Sequence, residues 1–129
     1  SGAEKEQVVG KVYGVTSVPS QWAEENAELL AKFLKVTADM NDAYAADRGP
    51  MMAAISKEAG MDLETTTAII DVFGFPSVKD QLSNEWFGEY LAGSLASSAA
   101  ALEEAGQIKA LADYNTVIDS SYLEAASKM

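Results

Sequence analysis

The stretch "AELLAKFLKVTADMNDAYAAD", residues 27–47, carries the strongest regular pattern in the chain. Asn26 precedes it and is predicted to cap a helix, and "RGP" (48–50) ends the pattern. Side chains suited to a core recur at helical spacing along it: Leu30, Phe33, Leu34, Thr37, Met40 and Tyr44. The stretch therefore predicts one long helix that turns a single apolar face towards the core.

Shorter helices are predicted on both sides of this long one. The signals are polar caps before apolar runs and glycines after them. The predicted caps are Ser20, Asp62, Ser77 and Asp119, and the predicted stops are Gly60, Gly74 and Gly106. The stretch "NEWFGEYLAGSLASSAAALEEA", 84–105, forms a second long helix in this interpretation. Six or seven helices result.

One β segment is predicted, in "QVVGKVYGVTSVPS", 7–20. Its β-branched and aromatic residues favour a strand over 8–18, which Pro19 stops. A lone strand leaves its backbone hydrogen bonds without partners. It must pair with a second copy, with the extended segment "TVI" at 116–118, or with chain outside this sequence. The last alternative would make the sequence a fragment.

Composition excludes several functional classes. The chain has 129 residues and a formal charge of -11, which repels nucleic acid and anionic lipid. It contains neither cysteine nor histidine, so the usual zinc sites, cysteine nucleophiles and Ser-His-Asp triads are ruled out. No nucleophile–base pair or set of metal ligands can be assembled from what remains. We therefore expect no enzyme activity, no metal and no cofactor.

Three aromatic residues lie where binding side chains tend to be held: Tyr13 on the predicted strand, Phe75 at a bend and Trp86 at a helix start. Phe75 is flanked in the sequence by Gly74 and Pro76, within "FGFPSVKDQLSNEW", 73–86. It is either a core residue at the bend or a residue that the bend presents to a ligand. The remaining aromatics on helical patterns are predicted to be core: Trp22, Phe33, Tyr44, Phe73 and Tyr90.

The order of these segments resembles the C-terminal portion of periplasmic taurine- and sulfonate-binding proteins of ABC transporters. The resemblance rests on the strand that leads into a short aromatic-containing helix and on the helix start "NAEL" at 26–29. It rests also on the aromatic-x-Ser bend that leads to a glutamine at Phe75, Ser77 and Gln81, and on "ALEEAGQIKALADYNTVIDSSYLEAA", 101–126.

This resemblance implies an α/β two-lobed periplasmic-binding-protein fold of type II. Residues 1–129 would be a single segment of it: a crossing strand at 8–18 and then the helical C-terminal part of the first lobe. The rest of the first lobe, the second lobe and a signal peptide would lie outside this chain. The protein would be exported to the periplasm and would bind a small organic sulfonate or similar anion. It would deliver this ligand to a membrane permease as the lobes close.

The ligand-binding residues implied by the resemblance are Tyr13, Gly14, Thr16, Phe75, Gln81 and Trp86. The family pattern has an acidic residue where Gly14 stands and a tyrosine where Phe75 stands. Both departures remove polar groups that would hold an ammonium, so a sulfonate without an amine is the expected ligand.

The alternative interpretation is a self-contained acidic helical protein-interaction module. Two copies would then pair through the N-terminal strand.

Overall fold

Helices account for all the regular structure of residues 12–129, the part of the chain that the computed structural model describes. They are α1 (Ser20–Glu25), α2 (Ala27–Ala46), α3 (Arg48–Ala59), α4 (Leu63–Ile70), α5 (Val78–Gln81), α6 (Glu89–Glu104), a 3-10 helix (Tyr114–Val117) and α7 (Ser121–Ser127). No residue between 12 and 129 lies in a β-strand. The predicted α/β two-lobed fold is therefore wrong, and the described chain is all-helical.

The predicted strand is the main local error. Residues 8–11 lie outside the described part, and residues 12–18 have no regular structure. In the segment 116–118, predicted to be an extended partner, Thr116 and Val117 lie in the 3-10 helix, and only Ile118 after it is extended. A strand gains its stability from backbone bonds and side-chain pairs with a neighbouring strand. The described chain offers no such neighbour, so β-propensity alone does not produce a strand here.

Helix α2 is the longest element and packs against α1, α3 and α7. Its 20 residues give it a length of about 30 Å. The face of α2 that is buried contains Leu30, Ala31 and Ala38. Helix α7 buries Leu123 and Ala126. Small side chains on both helices allow their backbones to approach closely, and α7 forms the most extensive contact of α2.

Several predicted helix ends are confirmed. Asp62 caps α4, since its carboxylate accepts hydrogen bonds from the Thr65 amide at 2.8 Å and from the Thr65 hydroxyl at 2.7 Å. These bonds hold the pKa of Asp62 below its usual value. Gly60 and Gly106 follow α3 and the end of α6 with φ of 64° and 70°. Glycine adopts this left-handed backbone without steric cost.

Two predicted caps make no side-chain capping bond. Ser20 is the first residue of α1 and Pro19 is its cap, without a side-chain hydrogen bond. Asn26 occupies the N-cap position of α2 as predicted, but its Nδ2 donates to the Trp22 carbonyl at 2.9 Å, at the end of α1. Asp47 provides the cap of α3 by accepting a hydrogen bond from the Gly49 amide at 3.0 Å.

The core of the described residues is small and rich in alanine. Ten apolar residues are buried, and six of these are alanines. The prediction that aromatic side chains fill the core is wrong for Trp22, Phe33, Phe73 and Tyr90, which are all exposed. Tyr44 is half-buried. The helices therefore pack mainly through small side chains and leave large apolar groups at the surface.

Candidate functional site at the aromatic bend

Residues 73–88 form a connection between α4 and α6 that we call the aromatic bend. The short helix α5 lies in its middle. Ser77 caps this helix as predicted: Oγ accepts from the Asp80 amide at 3.2 Å and donates to Asp80 Oδ2 at 2.7 Å. A helix of four residues has little stability of its own, so its position depends on such local bonds and on neighbours.

The carbonyl of Pro76 fastens the aromatic bend to α2. It accepts hydrogen bonds from Asn41 Nδ2 at 3.1 Å and from Gln81 Nε2 at 3.0 Å. Both amide side chains are partly buried, which makes these bonds costly to lose. The predicted ligand-binding residue Gln81 thus uses its amide to hold the bend.

Phe75 combines features of the two predicted roles, a core residue at the bend and a residue that the bend presents to a ligand. Its ring contacts Tyr44 of α2 in a tilted edge arrangement, with centroids 5.0 Å apart and an interplanar angle of 62°. The side chain nevertheless remains 40% exposed. The bend therefore packs one side of Phe75 onto the helix and leaves the other side accessible to solvent.

Tyr13 and Trp86, 73 positions apart in sequence, meet on the far side of the bend. Their ring centroids are 4.9 Å apart and the rings are nearly perpendicular, at 86°. The Tyr13 hydroxyl also donates to the Glu85 carbonyl at 3.2 Å. An edge-to-face pair of this kind is favourable because the positive edge of one ring meets the negative face of the other. The pair anchors the segment around Tyr13 to the end of the bend.

Gly88 is required by a close backbone approach at the end of the bend. A Cβ atom at this position would lie 2.5 Å from the Asn84 Cα and 2.8 Å from the Asn84 carbonyl oxygen. Asn84 Oδ1 in turn accepts a hydrogen bond from the Glu89 amide at 3.3 Å. Residues 84–88, which the sequence predicted to be helical, form turns here, and α6 begins only at Glu89.

The predicted ligand-binding residues thus divide into separate groups. Tyr13 pairs with Trp86, whereas Phe75 and Gln81 are engaged with α2 and with the bend itself. Gly14 and Thr16 are exposed on the extended N-terminal segment. These six residues provide ring surfaces and one amide but no charged group. Within residues 12–129 no cluster of carboxylates is arranged to hold a metal.

Helix α2 carries an exposed row of apolar side chains that was not predicted from the sequence. Leu29, Phe33, Val36 and Met40, which we call the α2 stripe, follow one another at spacings of four, three and four residues. Their exposed fractions are 56%, 54%, 59% and 53%. The helical spacing of apolar residues predicted Phe33 and Met40 on the core face together with Leu30 and Leu34. The heptad spacing of the stripe was the signal that could have separated the two faces.

Two shallow depressions of the described surface lie away from the aromatic bend. One is bordered by Glu25 to Leu29 and Lys32, at the start of the α2 stripe. The other runs along α4 from Leu63 to Asp71. None of the described helices is both long and apolar enough to cross a membrane.

No known protein family matches the chain, and neither a curated protein nor a solved structure is significantly similar to it.

Proposed function

We propose that this chain is an acidic helical protein-interaction module that binds through apolar groups exposed on its helices. The observation that carries the proposal is the distribution of apolar side chains. Among the described residues nineteen large hydrophobic side chains are exposed, while six of the ten buried apolar residues are alanines. A domain that kept its large apolar groups for its own core would show the opposite distribution.

Single exposed hydrophobic residues are normal in proteins, but ordered groups of them mark interaction sites. The α2 stripe is such a group, since its four members lie within an arc of about 60° on one helix. The net charge of -11 supports solubility despite this exposure. It also disfavours nucleic acid and anionic membranes as partners, which leaves protein surfaces.

Sedimentation equilibrium of the chain between about 10 and 500 µM tests this proposal, because a helix face of this size gives weak association. We expect the average mass to rise with concentration. A mass equal to that of one chain at every concentration would contradict the proposal. Val15→Pro tests the earlier prediction of strand pairing, because proline removes a donor from any ladder formed by residues 12–18. If strand pairing is responsible for the association, this variant abolishes it.

The sulfonate-binding function implied by the resemblance is retained as a second candidate. Its support is that Tyr13 and Trp86 meet across 73 positions and that Phe75 keeps an accessible ring face. A single ring surface leaves the polar groups of a ligand in water, so binding by this chain is expected to be millimolar or weaker.

Calorimetric titration with taurine and with isethionate tests the second candidate. Equal or better binding of the amine-free isethionate is expected, because Gly14 and Phe75 provide no acceptor for an ammonium. Gly14→Asp adds a carboxylate and should improve taurine alone. Strong preference for taurine in the unmodified chain would contradict the ligand assignment.

A further inference from the structure

The α2 stripe has the spacing of a coiled-coil seam. In heptad terms Leu29 and Val36 occupy d positions, and Phe33 and Met40 occupy a positions. The buried residues Ala31 and Ala38 lie on the opposite side of the helix, and the buried residue Leu30 lies about 90° from the stripe, between the two sides. Helix α2 therefore has two apolar faces, one closed by its own chain and one open.

Charged residues border the open face in a symmetrical order. Glu28, Lys32, Lys35 and Asp39 follow one another as acid, base, base, acid. Within the helix Lys32 pairs with Glu28 at 2.6 Å, and Lys35 pairs with Asp39 at 2.7 Å. The border is thus electrically neutral, although the chain as a whole carries a charge of -11. This neutral border lets two acidic copies meet at the stripe without strong local repulsion.

From this arrangement we infer that the α2 stripe binds the α2 stripe of a second copy in an antiparallel, two-fold symmetric pair. The inference rests on the proposed interaction function and names its partner. In the antiparallel register Leu29 lies opposite Met40 of the other copy, and Phe33 lies opposite its Val36. The same surface is used twice, as a two-fold interface requires.

Charge complementarity selects this direction. In the antiparallel register the g-position residue Lys32 lies beside the g-position residue Asp39 of the other copy, and the symmetry repeats the contact. Each new contact would join the two existing ion pairs into a four-charge network. In a parallel pair, a residue at g faces the residue at e that lies five positions further along the other copy. Lys32 would then lie opposite Thr37, and Asp39 opposite Tyr44. Neither charge would then gain an opposite partner.

Disulfide trapping tests the direction directly, because the chain has no cysteine of its own. Leu29→Cys and Met40→Cys are made separately, with one carrying an affinity tag, and are mixed in a glutathione redox buffer. In the antiparallel pair residue 29 meets residue 40 of the other copy. Identical positions are then separated along the axis by 11 residues, or about 16.5 Å. A disulfide requires Cα atoms within about 7 Å.

We therefore expect the mixed dimer to form and both homodimers to stay at the level of background, because only residues 29 and 40 of different copies come within this distance. Asp42→Cys, on the same helix but off the stripe, is the matched control and should not cross-link above background. Circular dichroism confirms that each variant retains its helix, which is expected because the substituted side chains are exposed.

The outcomes separate this inference from the proposed function. Predominant homodimers of Leu29→Cys and of Met40→Cys would overturn the antiparallel arrangement. Cross-linking no greater than that of Asp42→Cys would overturn the α2 pair altogether. If sedimentation nevertheless shows association of the unmodified chain, the interaction function stands and only the assignment of the surface is wrong. A chain that sediments as a monomer and does not cross-link overturns both.

Discussion

Phe33→Glu is the substitution that most directly probes the apolar face of α2. Phe33 is 54% exposed in the single chain, so about half of its surface is left for an interaction to bury. Complete burial of such a side chain is worth about 1.5–3 kcal/mol, and half of that is about 1 kcal/mol. In a symmetric pair two copies of Phe33 are lost, so the association weakens by at least about 2 kcal/mol, or about thirtyfold.

The same reasoning gives the strength of the unmodified pair. Four stripe residues on each of two chains bury about half their surface, which contributes about 8 kcal/mol. The loss of translational and rotational freedom costs at least about 4 kcal/mol. The remaining 4 kcal/mol corresponds to a dissociation constant of about 1 mM. Association should therefore be measurable at several hundred micromolar in the unmodified chain and undetectable for Phe33→Glu.

Phe73→Glu is the matched control, because it makes the same chemical change at an aromatic residue of similar exposure, 61%, outside α2. Both variants also add the same charge, so general repulsion between acidic chains affects them equally. Sedimentation equilibrium compares the two with the unmodified chain at one salt concentration. Equal weakening by Phe33→Glu and Phe73→Glu, or no effect of Phe33→Glu, would refute the assignment of the α2 stripe.

Three further predictions concern the fold. Gly88→Ala should lower the free energy of unfolding by at least about 1 kcal/mol, because its Cβ would collide with backbone atoms. Gly93→Ala is the control in the middle of α6, where a Cβ would meet no other atom, and it should raise this free energy by up to about 1 kcal/mol. Denaturant titration measures both variants, and equal effects would contradict the close approach of Gly88 to Asn84. Tyr13→Ala removes the ring contact with Trp86 and a hydrogen bond, and should cost about 1–2 kcal/mol by the same assay, with Tyr13→Phe closer to the unmodified chain. The pKa of Asp62 is lowered from 3.8, so its capping bonds stabilise the folded state above that pH and are lost as the pH falls below it. The melting-temperature difference between the unmodified chain and Asp62→Asn should therefore shrink between pH 7 and pH 3, and a constant difference would argue against a charged cap.

The helices could be predicted because their signals are local. The caps at Asp62 and Ser77 and the left-handed glycines at Gly60 and Gly106 act within four residues of the chain. The strand could not be predicted in the same way, since a strand depends on a partner that sequence position does not reveal. The wrong α/β fold followed from the resemblance, which made residues 8–18 a crossing strand.

Two residues of the predicted site lie together in the structure. Tyr13 on the predicted strand and Trp86 at a predicted helix start were both selected as positions that tend to hold binding residues, and their ring centroids are 4.9 Å apart. Gln81 was predicted to bind a ligand, and its amide bonds the Pro76 carbonyl within the chain. Asn41, which bonds the same carbonyl from α2, belongs to a distant helix and carries no local signal.

The two faces of α2 show that side-chain size affects which residues of a helix are buried in the chain and which remain exposed. Periodicity alone placed Leu30, Phe33, Leu34 and Met40 on a single face. Consecutive residues of a helix are rotated by 100°, so Leu30 and Leu34 in fact lie on a different side of α2 from Phe33 and Met40. Helix α7 packs closely on α2. Alanines such as Ala31 and Ala38 on the buried face of α2 have small side chains, which allow this close packing. A large ring at such a position would force the helices apart, so Phe33 belongs on the other face. The four side chains of the α2 stripe are consequently left outward, at the spacing and with the neutral border that a second α2 can match.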